Sequence, residues 1–419
     1  MKDEILDIFK ENFTIKVSFV FIFLFPIILL LGSALINTSI IIMNIFFLIH
    51  IFNEKKFSIF KNDIFYFLFA LWIFFIINTL FNNNFSENYS RAFGFVRFIL
   101  LVFSFSYFLS YKNFKFKEII FNFWFMIFII VSFDLIFEFF FGYNTLGFSA
   151  YYPGRLAGFM GGDELKIGHW YLCFSLILLS SNFNKNKKIY IFILISFIVS
   201  FLIGERANFI RLFIAMFAFI TITRHLTLKN SFLFILPIII LFLFVKNIES
   251  NKVDEIRGRF INEFISLTKY ESFNDLNNNN KYTPLYVNAY SVFKENKLLG
   301  VGLGSYYEGS HEIFRKYRFR THTKMIPNTH PHQHHFEILA LVGLPGYIFL
   351  FSFLLYFLKK SFFFYLTDKK IINLSSMLIV LVFCVPLLPT GSFFTTYGAA
   401  IFWLNFSLMN LGNFKNINY

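Results

Sequence analysis

Charged residues are scarce in this sequence. Only 15% of its 419 residues are Asp, Glu, Lys or Arg, whereas 57% are hydrophobic, and this balance excludes an ordinary soluble globular domain. Cysteine is scarcer still: Cys173 and Cys384 both lie inside apolar segments, which argues against a disulfide framework. No small-residue cleavage site follows the first apolar run, so this run is expected to be a retained helix and not a signal peptide. We predict an all-α polytopic membrane protein.

Long apolar runs occupy most of the chain. Because roughly 17–25 apolar residues span the ~30 Å hydrocarbon core of a bilayer, these runs predict about twelve transmembrane helices. The expected spans lie near residues 17–33, 35–52, 64–81, 92–110, 119–141, 167–181, 189–204, 207–223, 230–247, 334–358, 372–388 and 393–412. The predicted organisation is transmembrane helices 1–9 in residues 1–247, one large helical loop in residues 248–332 and transmembrane helices 10–12 in residues 333–419.

The net charge of +14 is distributed as an orientation signal. Basic residues cluster in alternate connections between the apolar runs, at Lys55, Lys56, Lys61, Lys112, Lys115, Lys117, Lys185, Lys187, Lys188, Arg224, Lys229, Lys359, Lys360, Lys369 and Lys370. The short connections near 33–35 and 389–392 carry no Lys or Arg. By the positive-inside rule, both termini are expected in the cytoplasm and loop 248–332 outside it. The charge therefore indicates membrane orientation and no nucleic-acid partner.

The large loop has a pattern of its own. The helical spacing of its apolar residues predicts an amphipathic helix on the membrane surface; these residues are Ile256, Phe260, Ile261, Phe264 and Ile265. The Asn-rich residues 274–280 indicate a turn or mobile link, and Thr283 followed by Pro284 predicts the start of a second helix. The Gly-Val-Gly-Leu-Gly run at 300–304 lacks a βαβ context, so it predicts tight backbone packing under a site and not a nucleotide site.

Four histidines stand at positions 330, 332, 334 and 335, where this loop meets the next apolar run. They allow three interpretations. His-x-His spacing can chelate a metal, with Glu337 as the nearest acid; the cluster can be a solvated helix start; or one imidazole can act as a general base or hydrogen-bond donor. We favour the third interpretation and predict no metal and no cofactor.

Arginines near the membrane boundary are the second signal. Arg206 lies at a predicted outer turn and Arg211 one and a half turns further into a span. A charge at membrane depth costs roughly 2.5–3.5 kcal/mol, so a functional role is the default, although Arg206 could instead pair with Glu205 or extend to the interface. Arg155, Arg257 and Arg259 add charge at the same predicted face, with a solvated surface or lipid contact as the alternative. Because guanidinium groups bind phosphate oxygens bidentately, a lipid-linked diphosphate is a suitable ligand.

These residues resemble a known family, the O-antigen ligases and polymerases of bacterial envelopes. The family motif is His, then Asn, Ser or Gln, nine residues, Gly, two residues, and Gly, Thr or Tyr. The chain has His332, Gln333, nine residues, Gly343, Leu344, Pro345 and Gly346. Residues 296–306 are similar to the family segment that ends in Gly-Val-Gly, and Gly204-Glu205-Arg206 is similar to its short arginine motif. One departure is Lys281-Tyr282-Thr283-Pro284, where many members carry an arginine.

The resemblance implies transfer of a glycan from undecaprenyl diphosphate to an acceptor hydroxyl, at the periplasmic face of the bacterial inner membrane. It implies catalytic roles for His332 and Arg206. The expected substrate-binding residues are Arg155, Arg211, Arg257, Arg259, His330, Gln333 and Glu337. The acceptor is either a lipid A core sugar, as in a ligase, or another lipid-linked repeat, as in a polymerase; the histidine motif favours the ligase. A transporter or flippase is the alternative class, but the sequence shows no convincing internal repeat.

Overall fold

The computed structural model describes residues 11–81, 85–111, 115–162, 166–181, 188–224, 239, 243, 251–262, 265, 268–318 and 323–411. Their regular structure is helical throughout, as predicted. The α-helices are α1 Phe13–Leu30, α2 Ser33–Asn53, α3 Asp63–Leu80, α4 Phe85–Gly94, α5 Val96–Ser110, α6 Lys115–Phe141, α7 Ile167–Ser181, α8 Lys188–Leu202, α9 Arg206–Arg224, α10 Asn251–Arg257, α11 Phe273–Asn279, α12 Thr283–Glu295, α13 Tyr306–Tyr317, α14 His334–Asp368, α15 Ile371–Phe383 and α16 Thr396–Met409.

The predicted polytopic architecture is confirmed. Among the described residues, seven helices are long and apolar enough to cross a membrane, and three shorter helices, α7, α8 and α15, are also apolar. The last predicted span corresponds to α16, which has only 14 residues, and the span predicted near 230–247 lies outside the described residues except for Ile239 and Leu243. The chain is therefore an all-α multi-pass membrane protein, whereas the exact number of crossings stays a prediction.

Helices at the centre of the bundle differ from those at its periphery. Residues of α7, α15 and α16 are buried on nearly all sides, whereas α1, α2 and α3 leave apolar side chains exposed along one face. Such exposed faces suit contact with lipid tails. Polar pairs bridge the central helices, as where Ser106 and Ser407 hydroxyls lie 2.8 Å apart and where the Asn405 amide donates to Cys173 Sγ at 3.0 Å, a common means of holding membrane helices together.

The large loop folds partly as predicted. The second helix is confirmed as α12, with Pro284 in its first turn and a buried stripe that includes Leu285, Ala289 and Val292. The turn predicted at 274–280 is wrong, because Phe273–Asn279 forms α11. The Ser272 hydroxyl accepts from the Asp275 N–H and caps this helix, an arrangement that stabilises even an Asn-rich segment.

The amphipathic segment of the loop is also placed differently from the expectation. It divides into α10 and a π-helical turn over Gly258–Asn262. Ile256 is buried, and the Phe260 ring lies 4.5 Å from Phe201 and 5.6 Å from Phe209 between centroids. This part of the apolar stripe therefore packs on the ends of α8 and α9; Phe264 lies outside the described residues.

Helix α14 is broken near its start. Gly343 has φ +67° and ψ −175°, which interrupts the helical backbone. The Ala340 and Leu341 carbonyls accept from Val301 and Gly302 N–H groups, each at 2.9 Å. A Cβ on Gly343 would collide with the Leu298 backbone, so only glycine fits this approach. The glycines of residues 300–304 and of the histidine motif thus meet, as the predicted close packing requires.

Candidate functional site

One end of the bundle gathers the loops that carry the predicted functional residues. Helices α6, α8 and α15 end there, and α7, α9, α14 and α16 begin there. Backbone hydrogen bonds join these loops: Leu156 N–H donates to the Ile203 carbonyl at 3.2 Å, and Thr390 N–H donates to the His332 carbonyl at 2.8 Å. Residues far apart in sequence therefore share one site.

The backbone of His332 has the left-handed conformation, with φ +56°. This conformation is uncommon for a non-glycine residue, costs of order 1–3 kcal/mol and recurs at functional sites. The next residue, Gln333, is buried, and its side-chain oxygen accepts from Phe336 N–H at 3.0 Å, which caps α14. Gln333 thus fixes the helix start beside His332, and its contact with substrate stays a prediction.

The His332 ring is half-buried between three polar or aromatic neighbours. Its centroid lies 4.0 Å from that of His330 and 6.0 Å from that of Tyr282. Asn328 Nδ2 lies 3.3 Å from His332 Nε2. Because Asn328 Oδ1 accepts from Thr329 N–H at 2.8 Å, the amide nitrogen is the group that faces the ring. His332 Nε2 therefore accepts this long hydrogen bond, and the ring proton is on Nδ1.

Burial and neighbouring charge keep both imidazoles neutral. Burial lowers the pKa of His332 from its ordinary value, and the positive charges of Lys281 and Arg155 lower it further. Burial also lowers the pKa of His330 to about 4, assisted by His332 and Lys166. A neutral His332 has a lone pair at Nε2 that can accept a proton at neutral pH.

The histidines of the first turn of α14 have other partners. His334 Nδ1 lies 3.1 Å from the Phe383 carbonyl. His335 Nε2 donates to the Cys384 carbonyl at 2.8 Å, so His335 Nδ1 accepts from the Tyr347 hydroxyl, also at 2.8 Å. Both side chains therefore bind the end of α15. No group of three or more His, Cys, Asp or Glu side chains within the described ranges is arranged to hold a metal ion.

Glu337 is buried one turn further along α14. Its two carboxylate oxygens accept from the Ser392 hydroxyl and from Phe393 N–H, the latter at 2.7 Å. These bonds hold the loop between α15 and α16, and the same loop contains Thr390. Glu337 thus acts on His332 through the loop, while the predicted contact with substrate stays a prediction.

Arg155 lies in the loop between α6 and α7. Its Nε is buried, and within the described residues it has no hydrogen-bond partner. Its positive charge acts on His332 and also on Glu205, whose pKa is raised by burial and partly restored by Arg155. Arg155 is therefore a predicted site arginine whose charge, like that of Lys281, lowers the pKa of His332.

Arg211 is fully buried. Its guanidinium donates to the Val382 and Leu388 carbonyls at 3.2 and 3.0 Å and to Asn208 Oδ1 at 3.2 Å. These contacts fix α9 to the end of α15. Asn208 also approaches His169 Nδ1 at 3.1 Å, which extends the polar network to α7.

The other predicted arginines occupy three different settings. Arg206 is the first residue of α9 and is half-buried. Arg257 pairs with Asp254 at 2.8 Å near the surface. Arg259 Nε donates to the Gly204 carbonyl at 3.2 Å, and its terminal nitrogen donates to the Pro153 carbonyl at 3.3 Å. Arg259 thus fastens the large loop to the Arg155 loop, and substrate binding by all three stays a prediction.

Sequence reasoning missed several members of the site. His169 and Asn208 were not predicted as site residues. For Asn208 the available signal was its position two residues after Arg206. Thr390 and Ser392 carried no such signal, because their role depends on a loop that reaches the site only in the folded chain.

Together, the fold and the site define a multi-pass membrane protein with a neutral histidine and several cations at one end of its bundle. In a comparison with known families, residues 191–351 match the family described as O-antigen ligase. The matched segment confirms the resemblance and includes all the predicted site residues except Arg155. Members of this family are enzymes that transfer lipid-linked glycans. No curated protein matches the chain.

Proposed function

We propose that the protein transfers a glycan from undecaprenyl diphosphate to an acceptor hydroxyl without a metal ion. The observation that carries the proposal is the setting of His332: a left-handed residue with a lowered pKa beside the charges of Lys281 and Arg155. A neutral base next to cations suits a reaction in which a hydroxyl loses a proton while a diphosphate leaves. The O-antigen ligase match supports the same reaction class.

The proposed reaction forms one glycosidic bond and breaks the bond between the glycan and the diphosphate. The acceptor oxygen attacks the anomeric carbon of the donor and forms the new glycosidic bond, while the bond from that carbon to the diphosphate oxygen breaks. His332 Nε2 takes the acceptor proton, displacing the weak hydrogen bond from Asn328. Undecaprenyl diphosphate leaves with the bonding electron pair. Attack opposite the leaving group inverts the anomeric centre.

Cationic side chains would stabilise the leaving diphosphate. Arg206 is proposed to bind it, assisted by Arg155. Lys281 is exposed, and within the described residues it has no hydrogen-bond or ion-pair partner, so it is available to an anion. Its charge reaches His332, which supports the idea that Lys281 supplies the charge that an arginine provides in many family members. A lysine contributes a point charge in place of a bidentate guanidinium.

The proposed location is the bacterial inner membrane, with both termini in the cytoplasm and the site on the periplasmic side. The alternation of basic loops supports this orientation. We propose the lipid A core as the acceptor, and the histidine motif favours this ligase assignment over joining lipid-linked repeat units.

Reconstituted vesicles provide the test. The wild-type protein should transfer glycan from undecaprenyl diphosphate to a lipid A core acceptor in the presence of chelator, whereas His332→Ala and Arg206→Ala should lose transfer. Arg315→Ala, which removes an exposed arginine of α13, is the matched control and should retain it. Full transfer by both site variants would overturn the residue assignment.

Two further outcomes separate the alternatives. In a deletion strain, lipid A without glycan, together with a lipid-linked glycan of unchanged length, indicates a ligase. A shortened glycan attached to lipid A indicates a polymerase. Movement of the lipid-linked donor across vesicles without formation of a new glycosidic bond would instead support a flippase.

A further inference from the structure

A cavity adjoins the site at Arg155, which is one of its lining residues. Its volume is about 250 Å³, and it lies between the end of α6, the Arg155 loop and α10. Tyr151 and Tyr152 line it and are 75% and 47% exposed, so their rings are available to a ligand. The two ring centroids lie 5.2 Å apart in an edge-to-face arrangement. Both rings therefore form part of the cavity wall and are accessible from solvent.

The charges around this cavity distinguish its ligand from a phosphate. Glu138 and Glu255 line it together with Arg155, so its lining includes two acidic residues and one basic residue. Carboxylates accept hydrogen bonds from hydroxyl groups but repel phosphate oxygens. Around His332, by contrast, the neighbouring charges are those of Lys281 and Arg155. Arg155 therefore separates a cationic region from a region that suits a neutral, hydroxyl-rich ligand.

The wall of the cavity is held firmly in place. Glu138 is buried, and its oxygens accept from Ala157 and Gly158 N–H groups, each at 2.8 Å. On the other side of the loop, Glu255 accepts from Gly154 N–H at 2.7 Å. Two carboxylates from different helices thus clamp the backbone on both sides of Arg155. A preformed wall of this kind lowers the ordering cost of binding.

We infer that this cavity is a saccharide subsite, which binds a sugar ring of the glycan that the proposed reaction transfers. The inference rests on the proposed function and names the part of the substrate that is recognised. The tyrosine rings would cover the apolar face of the sugar, and Glu255 would accept from its hydroxyl groups. The volume lies below the ~300–1,000 Å³ of drug-sized pockets, so the subsite takes one or two sugar units and not a long chain.

The position of Arg155 gives the subsite a role in the reaction. Arg155 lines the cavity and its charge also acts on His332. A glycan held against Tyr151 and Tyr152 would therefore extend towards the region where the diphosphate is proposed to bind. Binding energy from the sugar would then help to place the anomeric carbon, as remote contacts do in other enzymes.

A binding experiment tests the subsite without depending on catalysis. The protein is placed in lipid nanodiscs, because maltoside detergents would themselves present sugars, and saturation-transfer NMR is recorded with free neutral hexoses and N-acetylhexosamines. At least one sugar should give a saturation-transfer signal with the wild-type protein. This signal should disappear with Tyr151→Ala or Tyr152→Ala, and it should persist when inorganic diphosphate is added. Tyr290→Ala is the matched control, since Tyr290 is 53% exposed on α12 and lies outside the cavity lining.

Kinetics gives an independent readout. Tyr151→Ala and Tyr152→Ala should raise KM for the lipid-linked donor about three- to tenfold, with kcat changed much less. Absence of saturation transfer from the wild-type protein, or an equal signal from Tyr151→Ala, would overturn the subsite. If saturation transfer is present but the wild-type protein forms no glycosidic bond, the proposed function fails while the sugar site stands.

Discussion

Thr390 N–H donates a 2.8 Å hydrogen bond to the carbonyl of His332. This bond joins the loop between α15 and α16 to the residue that precedes the cap of α14, and it holds the uncommon backbone conformation of that residue. Glu337 secures the same loop through Ser392 and Phe393. The orientation of one imidazole thus depends on three separate parts of the chain.

His332→Ala should reduce glycan transfer by roughly 10²–10⁴-fold, because that is the usual contribution of a positioned general base. Transfer is measured in vesicles with a lipid-linked donor at saturating concentration. His311→Ala is the control, since His311 contacts Tyr307 on α13. An equal loss in both variants would indicate a general effect on folding instead.

The pH dependence should report the lowered pKa of His332. Deprotonated Nε2 is the active form, so activity should stay level as pH falls through 6.5, the ordinary histidine value, and decline only below it. Acid also destabilises the fold in this range, because His332 and His330 bind protons more readily in the unfolded chain. Initial rates measured immediately after a pH change separate the two effects.

Lys281→Ala should move that acid limb to higher pH, because the lysine charge helps to lower the pKa of His332. The same variant should raise KM for the diphosphate donor, and Lys281→Arg should restore it. Lys269→Ala, at another exposed position of the loop, should match the wild type in both measurements. An unchanged pH profile in Lys281→Ala would show that Lys281 does not act on this imidazole.

Glu337→Gln should weaken the loop between α15 and α16. The amide oxygen can still accept from Phe393 N–H and the amide nitrogen can donate to the Ser392 hydroxyl, but both hydrogen bonds lose the added strength of a carboxylate acceptor. The expected cost is about 1–3 kcal/mol, measured as a lower thermal unfolding midpoint, together with reduced kcat. Glu308→Gln, an exposed change on α13, should alter neither quantity.

Gly343→Ala should destabilise the protein more than an ordinary surface change. The residue has φ +67°, and an added Cβ would meet the Leu298 carbonyl, so either the backbone turn or the docked segment must move. We expect the free energy of unfolding to fall by about 1–3 kcal/mol or more and glycan transfer to be lost. Gly258→Ala, where a Cβ would meet open space, provides the comparison; an equal effect of both changes would show that the broken turn is dispensable.

Much of the fold was predictable because membrane helices follow a simple physical rule. A run of apolar residues long enough to cross the bilayer must satisfy its backbone hydrogen bonds internally, and the described helices from α1 to α3 follow the predicted spans closely. The loop was harder. Residues 273–279 form a helix because Ser272 caps it and Asn277 donates to the Lys324 carbonyl at 2.9 Å. Residues 277 and 324 are 47 positions apart in the sequence.

The site, like the fold, could be predicted only in part. Residue type and motif spacing point to His332 in the sequence, and its catalytic role stays a prediction. The buried settings of Arg211 and Glu337 could not be predicted, since most of their partners lie in residues 382–393. A side chain can be recognised from sequence as able to bind an anion, but its actual partner is set by the packing of distant helices.

The hydrogen bond between Thr390 N–H and the His332 carbonyl can form only late in synthesis. Residue 390 leaves the ribosome more than fifty positions after His332, so the histidine loop must wait for the penultimate helix before its left-handed turn is secured. A nascent chain that stops after α14 would already contain the whole histidine motif but would lack the group that fixes it. The histidine turn is thus secured only after nearly all of the apolar helices have been made.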